Sequence, residues 1–118
     1  MFTIYGSSKC PDCINCKANF DEYKIEYEFI DILDNLKNLK KFLYYRDNYP
    51  NVFNRLIKIG DIGLPAIVDE FNNVFTDWEA YLKEKGLNPF YVTGESCSIN
   101  GKGCWWLCFH NHFSLIIL

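Results

Sequence analysis

The stretch Phe2-Thr3-Ile4-Tyr5-Gly6-Ser7-Ser8-Lys9-Cys10-Pro11-Asp12-Cys13 decides the fold. Phe2 to Tyr5 is a short alternating apolar run that ends at Gly6, which reads as a first strand. Ser7-Ser8-Lys9 is a polar turn. Pro11 suits the first position of a helix, because proline has no N–H to lose there. A helix over 12–23 follows, with Ile14, Ala18 and the stem of Lys17 expected on its inner side. The two cysteines therefore fall where a strand hands over to a helix.

Working outward, Ile25-Glu26-Tyr27-Glu28-Phe29-Ile30 alternates apolar and acidic residues, the pattern of a strand with one wet face. Asp34 or Asn35 can cap the next helix, where Leu36, Leu39 and Leu43 recur at helical spacing. Tyr49-Pro50 breaks it. Val52, Phe53, Leu56 and Ile57 mark a second short helix, stopped by Gly60. Ala66-Ile67-Val68 and Val74-Phe75-Thr76 read as a hairpin around an Asn-Asn turn. Asp77 can cap a last helix through Lys85, with Gly86 as its stop. The order is β-α-β-α-α-β-β-α, and its strand-helix-strand start requires a parallel pair with a right-handed crossover.

The chain has 118 residues, one domain's worth. Twelve basic against fifteen acidic residues leave a formal charge of −3, which argues against a general nucleic-acid binder. With 49% hydrophobic and 23% charged residues the chain can close a core, and 18% aromatic residues will fill much of it. Six cysteines fall short of a disulfide-built mini-protein. No signal-peptide pattern opens the sequence. The apolar stretch 104–118 is too short for a membrane span and is interrupted by His110, Asn111 and His112. The expected location is a reducing cytoplasm, with no membrane partner, where closely spaced cysteines point to metal or redox chemistry.

Cys10-Pro11-Asp12-Cys13 inside a βαβ unit reads as a redox-active dithiol. At a helix N-terminus, free N–H groups and the helix dipole favour a negative sulfur. The thiolate is the reactive species, so a lowered pKa raises its attacking fraction. Lys9 is expected to add to that effect, and Asp12 to oppose it by like charge. Cys13, one turn further in, would break the mixed disulfide by attacking the sulfur of Cys10. Pro65, in Gly63-Leu64-Pro65-Ala66, opens the third strand. A proline is tolerated there, and an X-Pro bond is the kind that adopts cis cheaply, so cis and trans are both open.

Residues 2 to 85 resemble the glutaredoxins, in particular the bacterial glutaredoxin-related proteins. The resemblance is carried by Tyr5-Gly6, the Cys10–Cys13 motif, Lys17-Ala18-Asn19-Phe20, Glu26-Tyr27-Glu28-Phe29 and Ile62-Gly63-Leu64-Pro65-Ala66. It implies a thioredoxin-like α/β fold, with a central four-stranded mixed sheet flanked by helices. It implies a cis Pro65 facing the cysteines, with Leu64 offering its backbone to substrate. It further implies thiol–disulfide exchange with no bound cofactor, and glutathione as a candidate co-substrate. The sequence departs from the family at Asp12, where a tyrosine is usual. It departs again at Thr76-Asp77-Trp78, where a Gly-Gly and an acidic pair are usual, and Asp77 would do part of that work.

The expected organisation is a domain over 1–86 and a cysteine-containing extension over 87–118. The expected activity is reduction of protein disulfides or glutathione mixed disulfides, recharged by a cellular thiol reductant. Cys10 is the nucleophile and Cys13 the resolving thiol; Lys9, Pro11, Asp12, Leu64, Pro65 and Asp77 form the substrate site. The potential should lie in the range of roughly −270 to −120 mV, toward the reducing end.

Cys16 completes a C-x-x-C-x-x-C array and supports a rival reading, a zinc or iron–sulfur protein using Cys10, Cys13 and Cys16 without turnover. Against it, no second knuckle exists, and Cys16 can equally be a small core hydrophobe, so no metal site is assigned. Cys97 and Cys104 flank Asn100-Gly101, a hairpin-type turn that lets the ends meet within disulfide reach. They are either a second dithiol relaying electrons to Cys10 and Cys13 or two unpaired thiols. Cys104, Cys108, His110 and His112 have metal-ligand chemistry, but apolar packing of that stretch is the preferred reading.

Overall fold

The computed structural model of the chain describes residues 1–93. Cys97, Cys104, Cys108, His110, His112 and all but the start of the expected extension lie outside the described residues.

The elements run β1 (Phe2–Gly6), α1 (Pro11–Glu22), β2 (Tyr27–Asp31), α2 (Leu36–Asn48), α3 (Pro50–Lys58), β3 (Ala66–Val68), β4 (Val74–Phe75) and α4 (Trp78–Glu84). The order is the one the sequence predicts. The sheet is four-stranded and mixed, in the order β2-β1-β3-β4. β1 runs parallel to β2, with Phe2 opposite Tyr27 and Gly6 opposite Asp31. It runs antiparallel to β3, with Ile4 opposite Ile67 and Tyr5 opposite Ala66. β3 and β4 form the expected hairpin, held by Asp69, whose Oδ1 accepts from Phe71 and Asn73 amides while Asn72 takes a φ of 64°. This is a thioredoxin-like α/β arrangement.

The period-two geometry of the strands divides the core. Ile4 and Ile67 face one side, with Cys16 and Phe20 of α1 and Trp78 and Leu82 of α4. Tyr5, Ala66 and Val68 face the other, with Ile32, Phe42 of α2 and Phe53 of α3. Each large side chain sealed this way contributes about 1.5–3 kcal/mol.

Local chemistry sets the helix ends. Asn35 Oδ1 accepts from the Asn38 amide at 2.9 Å, and Asp77 Oδ1 from the Ala80 amide at 3.0 Å. Pro50 starts α3, and Gly60 and Gly86 follow helix ends with φ of 78°.

Two expectations need correction. The inner face of α1 is Cys13, Cys16, Asn19 and Phe20 together with Asn15, while Ile14 is exposed. Asparagine is buried here because backbone from 90–93 pairs with it. Asn19 exchanges two hydrogen bonds with Phe90, at 2.7 and 3.0 Å. Asn15 donates to the Thr93 carbonyl and accepts from the Val92 and Thr93 amides. In α2, Leu36 is exposed and Phe42 is the sealed residue, with Leu39 and Leu43 packed at the margin. Leu36 is the first residue of α2, beyond the reach of the sheet.

Candidate functional site

The site grows out of the junction between β1 and α1. The Cys10 amide donates to the Ser7 carbonyl at 3.1 Å, closing a turn that stops the strand. Cys10 then takes the N-cap position with φ −98° and ψ 115°, and Pro11 opens the helix. Capping residues normally present an oxygen to the free amides of the first turn. Here the acceptor is sulfur: the Cys13 amide donates to Cys10 Sγ at 3.3 Å.

The two thiols are inequivalent. Cys10 is partly exposed and Cys13 is buried. The Cys10 pKa is held below its ordinary value, first by the Cys13 thiol donating to its sulfur. Burial and the Asp12 carboxylate work against the lowering, and the Cys13 and Asp12 amides assist it. Cys13 is pushed up by the same sulfur contact and by burial. The geometry thus favours the negative charge on the outer sulfur and the proton on the inner one. The expected help from Lys9 gives way to hydrogen bonds as the main cause of lowering.

Gly6 makes room for this pair. A Cβ built there would lie 2.8 Å from Cys13 Sγ and 3.0 Å from the Phe29 ring. The inner sulfur therefore packs against the bare end of β1.

A groove of about 210 Å³ opens beside Cys10 and brings together Ser7, Lys9, Pro11, Asp12, Leu33, Asp61, Ile62 and Leu64. Leu64 enters through the loop before β3. Gly63, with φ of 100°, packs so closely on Phe53 that a Cβ would meet the ring at 2.8 Å. Its amide donates to Asp61 Oδ1 at 3.2 Å, and Arg46 donates to the Asp61 carbonyl at 3.2 Å. The Leu64–Pro65 peptide is cis, and Pro65 is sealed beneath the loop. Asp77 is set apart. It lines an adjoining hollow with Arg55, Thr76 and Glu79, while Asp12, Asp61 and Leu64 face both.

Asp12 points toward α4. Trp78 Nε1 donates to its Oδ1 at 3.2 Å. Burial raises the Asp12 pKa, the indole bond holds it down, and Glu79, Asp61 and Asp77 push it up further. Trp78, Asp61, Ile62 and Leu33 were absent from the sequence-based site. The only signal for Trp78 was its place directly after the Asp77 cap.

Cys16 lies fully buried among Ile4, Phe20 and Ile67, with its thiol pushed up by burial. Among the described residues no three His, Cys, Asp or Glu side chains converge as metal ligands. The rival metal reading of Cys10, Cys13 and Cys16 gains no support from this packing. Among the described residues no helix is long and apolar enough to cross a membrane.

Compared with known proteins, residues 2–57 match the Glutaredoxin family model. The matched span runs from β1 into α3 and contains Cys10, Cys13 and Asp12. An uncharacterized protein of Haemophilus influenzae is 28% identical over 74 residues, covering 63% of this chain and 85% of that protein. Leu64, Pro65 and Asp77 lie beyond the family match, so their part in the site rests on geometry.

Proposed function

Residues 2–57 match the Glutaredoxin family model, and from that match we propose that the chain is a thiol–disulfide oxidoreductase with Cys10 as nucleophile and Cys13 as resolving thiol. The observation that carries the reading is the Cys10 sulfur at the mouth of α1, accepting from the Cys13 amide at 3.3 Å.

The Cys10 thiolate attacks one sulfur of a substrate disulfide. A Cys10–substrate disulfide forms, and the other substrate sulfur leaves as a thiolate that takes a proton from solvent. Cys13 then loses its proton and its sulfur attacks Cys10 Sγ. The Cys10–Cys13 disulfide forms and the second substrate thiol departs. The substrate gains two electrons and the dithiol loses them. An external thiol reductant restores the dithiol.

The contact with the Cys10 sulfur and burial both push the Cys13 thiol up, which favours attack on substrate by Cys10 rather than by Cys13. Lys9, Pro11, Asp12 and Leu64 line the groove where substrate lies. Pro65 supports that wall from below, and Asp77 borders the adjoining hollow. The substrate is a disulfide-bearing protein or a mixed disulfide, and glutathione enters only as a candidate co-substrate, not as a resident cofactor. The chemistry suits a reducing compartment such as the cytoplasm.

The test is a single-cysteine series assayed for disulfide reduction. Cys10→Ser should abolish turnover, and Cys13→Ser should halt at a mixed disulfide detectable by mass. Full activity in Cys10→Ser would overturn the assignment.

A further inference from the structure

We propose that the groove beside Cys10 selects disulfides set in apolar, basic peptide segments and discriminates against anionic thiols such as glutathione. The inference rests on the exchange reading above and names the substrate class of the same site.

The first ground is the wall chemistry. Leu33 and Ile62 flank the groove and are 61% and 55% exposed. Leu64 and Pro11 complete an apolar lining next to the sulfur. Large apolar side chains left in water around a reactive group mark a recognition surface. An apolar side chain adjacent to the substrate cysteine would cover them.

The second ground is charge. Asp12 and Asp61 line the groove, and the hollow that adjoins it at those residues adds Asp77 and Glu79. Lys9 and Arg55 are the cations facing the same space. Carboxylates outnumber them. Glutathione carries two carboxylates against one ammonium, so it must place negative charge into a negative field. A segment with lysine or arginine beside its cysteine meets the complementary potential, and like-charge juxtaposition is what most strongly rejects a wrong partner. The tetrad is also held in place. Asp61 is pinned by the Gly63 amide and by Arg46 on its carbonyl, Asp12 by Trp78, Asp77 by the Ala80 amide, and Glu79 by the Tyr91 hydroxyl.

The reaction probed is the first exchange. The Cys10–peptide disulfide forms, the peptide–pyridyl disulfide breaks, and thiopyridone leaves with a proton from solvent. The reduced full-length chain is mixed with four thiopyridyl disulfides sharing this leaving group. They are a Leu-Cys peptide flanked by lysines, the same peptide flanked by glutamates, glutathione, and neutral 2-mercaptoethanol. Each rate is divided by that of free dithiothreitol with the same probe. The lysine peptide should react at least about fivefold faster than both the glutamate peptide and glutathione at low salt. The gap should narrow at high salt, where the Debye length shortens, and again in Asp61→Asn, which keeps the acceptor for Gly63 and loses the charge. Any smaller ratio, or a preference for glutathione, overturns the selection. In that case reaction of the neutral probe leaves the dithiol reading standing, while silence of all four probes removes both.

Discussion

Trp78 Nε1 donates to Asp12 Oδ1 at 3.2 Å, so the first residue of α4 grips the carboxylate of a residue that stands between Cys10 and Cys13 in sequence. The bond favours the ionised carboxylate, while burial and three neighbouring carboxylates disfavour it. Trp78→Phe should therefore move the Asp12 titration to higher pH, read by carboxyl-carbon NMR. An unmoved or lower midpoint contradicts this account. The variant also loses indole volume from a sealed site, at a cost of about 1–3 kcal/mol in denaturant unfolding.

Asp12→Asn tests the opposition between that carboxylate and the nucleophile. The Asp12 amide that helps Cys10 is kept and the negative charge is lost. The Cys10 thiolate should then appear at lower pH, followed by its absorbance near 240 nm. Alkylation of Cys10 at neutral pH should quicken in step.

The Cys13 thiol is the largest cause of the lowered Cys10 pKa. Cys13→Ala deletes that donor and leaves the backbone donor at 3.3 Å. Thiolate formation at Cys10 should move to higher pH and lose its advantage over the unfolded chain, because burial and the Asp12 charge outweigh the backbone donors that remain. A serine replacement should fall between alanine and the parent, because its hydroxyl still donates.

Stability of the reduced protein should pass through a maximum below pH 9. Native Cys10 releases its proton below the ordinary thiol value of 9.0, so just above that release Cys10 binds more protons in the unfolded chain and stability rises with pH. Cys13 and Cys16 are raised instead. As the pH approaches 9 both ionise first in the unfolded chain, and stability falls. Tyr27, pushed up to about 12 chiefly by burial and by its bond to Asp21, prolongs the fall beyond pH 10. Forming the Cys10–Cys13 disulfide removes two of these groups. The oxidised protein should therefore show a flatter profile in urea titrations across pH 7 to 10.

Gly6→Ala inserts a methyl 2.8 Å from Cys13 Sγ and 3.0 Å from the Phe29 ring. Strand backbone on one side and a packed ring on the other leave little room to yield. A loss of about 1–3 kcal/mol is expected from unfolding curves. Closure of the Cys10–Cys13 disulfide should change in rate, because the inner sulfur has been displaced. A variant matching the parent in both measurements would show that the contact is slack.

Much of this was legible in the sequence, because local rules carry it. Strand alternation, Pro11, Pro50, Asn35 and Asp77 mark the elements, and the dithiol follows from its place between β1 and α1. What stayed hidden depends on partners distant in the chain. Hydrophobic spacing turned Ile14 and Ala18 inward, since nothing local says that Asn15 and Asn19 find backbone partners more than seventy residues away. The Trp78–Asp12 bond spans 66 positions. Asp61 and Ile62 reach the groove only because β3 lies beside β1 and carries its preceding loop to Cys10.

The carboxamides of Asn15 and Asn19 act as surrogate strand edges, reading the backbone of 90–93 as a neighbouring β-strand would. A polypeptide trimmed after Gly86 would keep every helix and strand of the described residues and still be flawed. Asn15 would lose its side-chain bonds to Val92 and Thr93, and Asn19 would keep only its bond to the Asn15 carbonyl, on the helix that carries Cys13 and Cys16. The segment that follows α4 is thus masonry for α1, and a minimal version of this fold ends no earlier than Thr93.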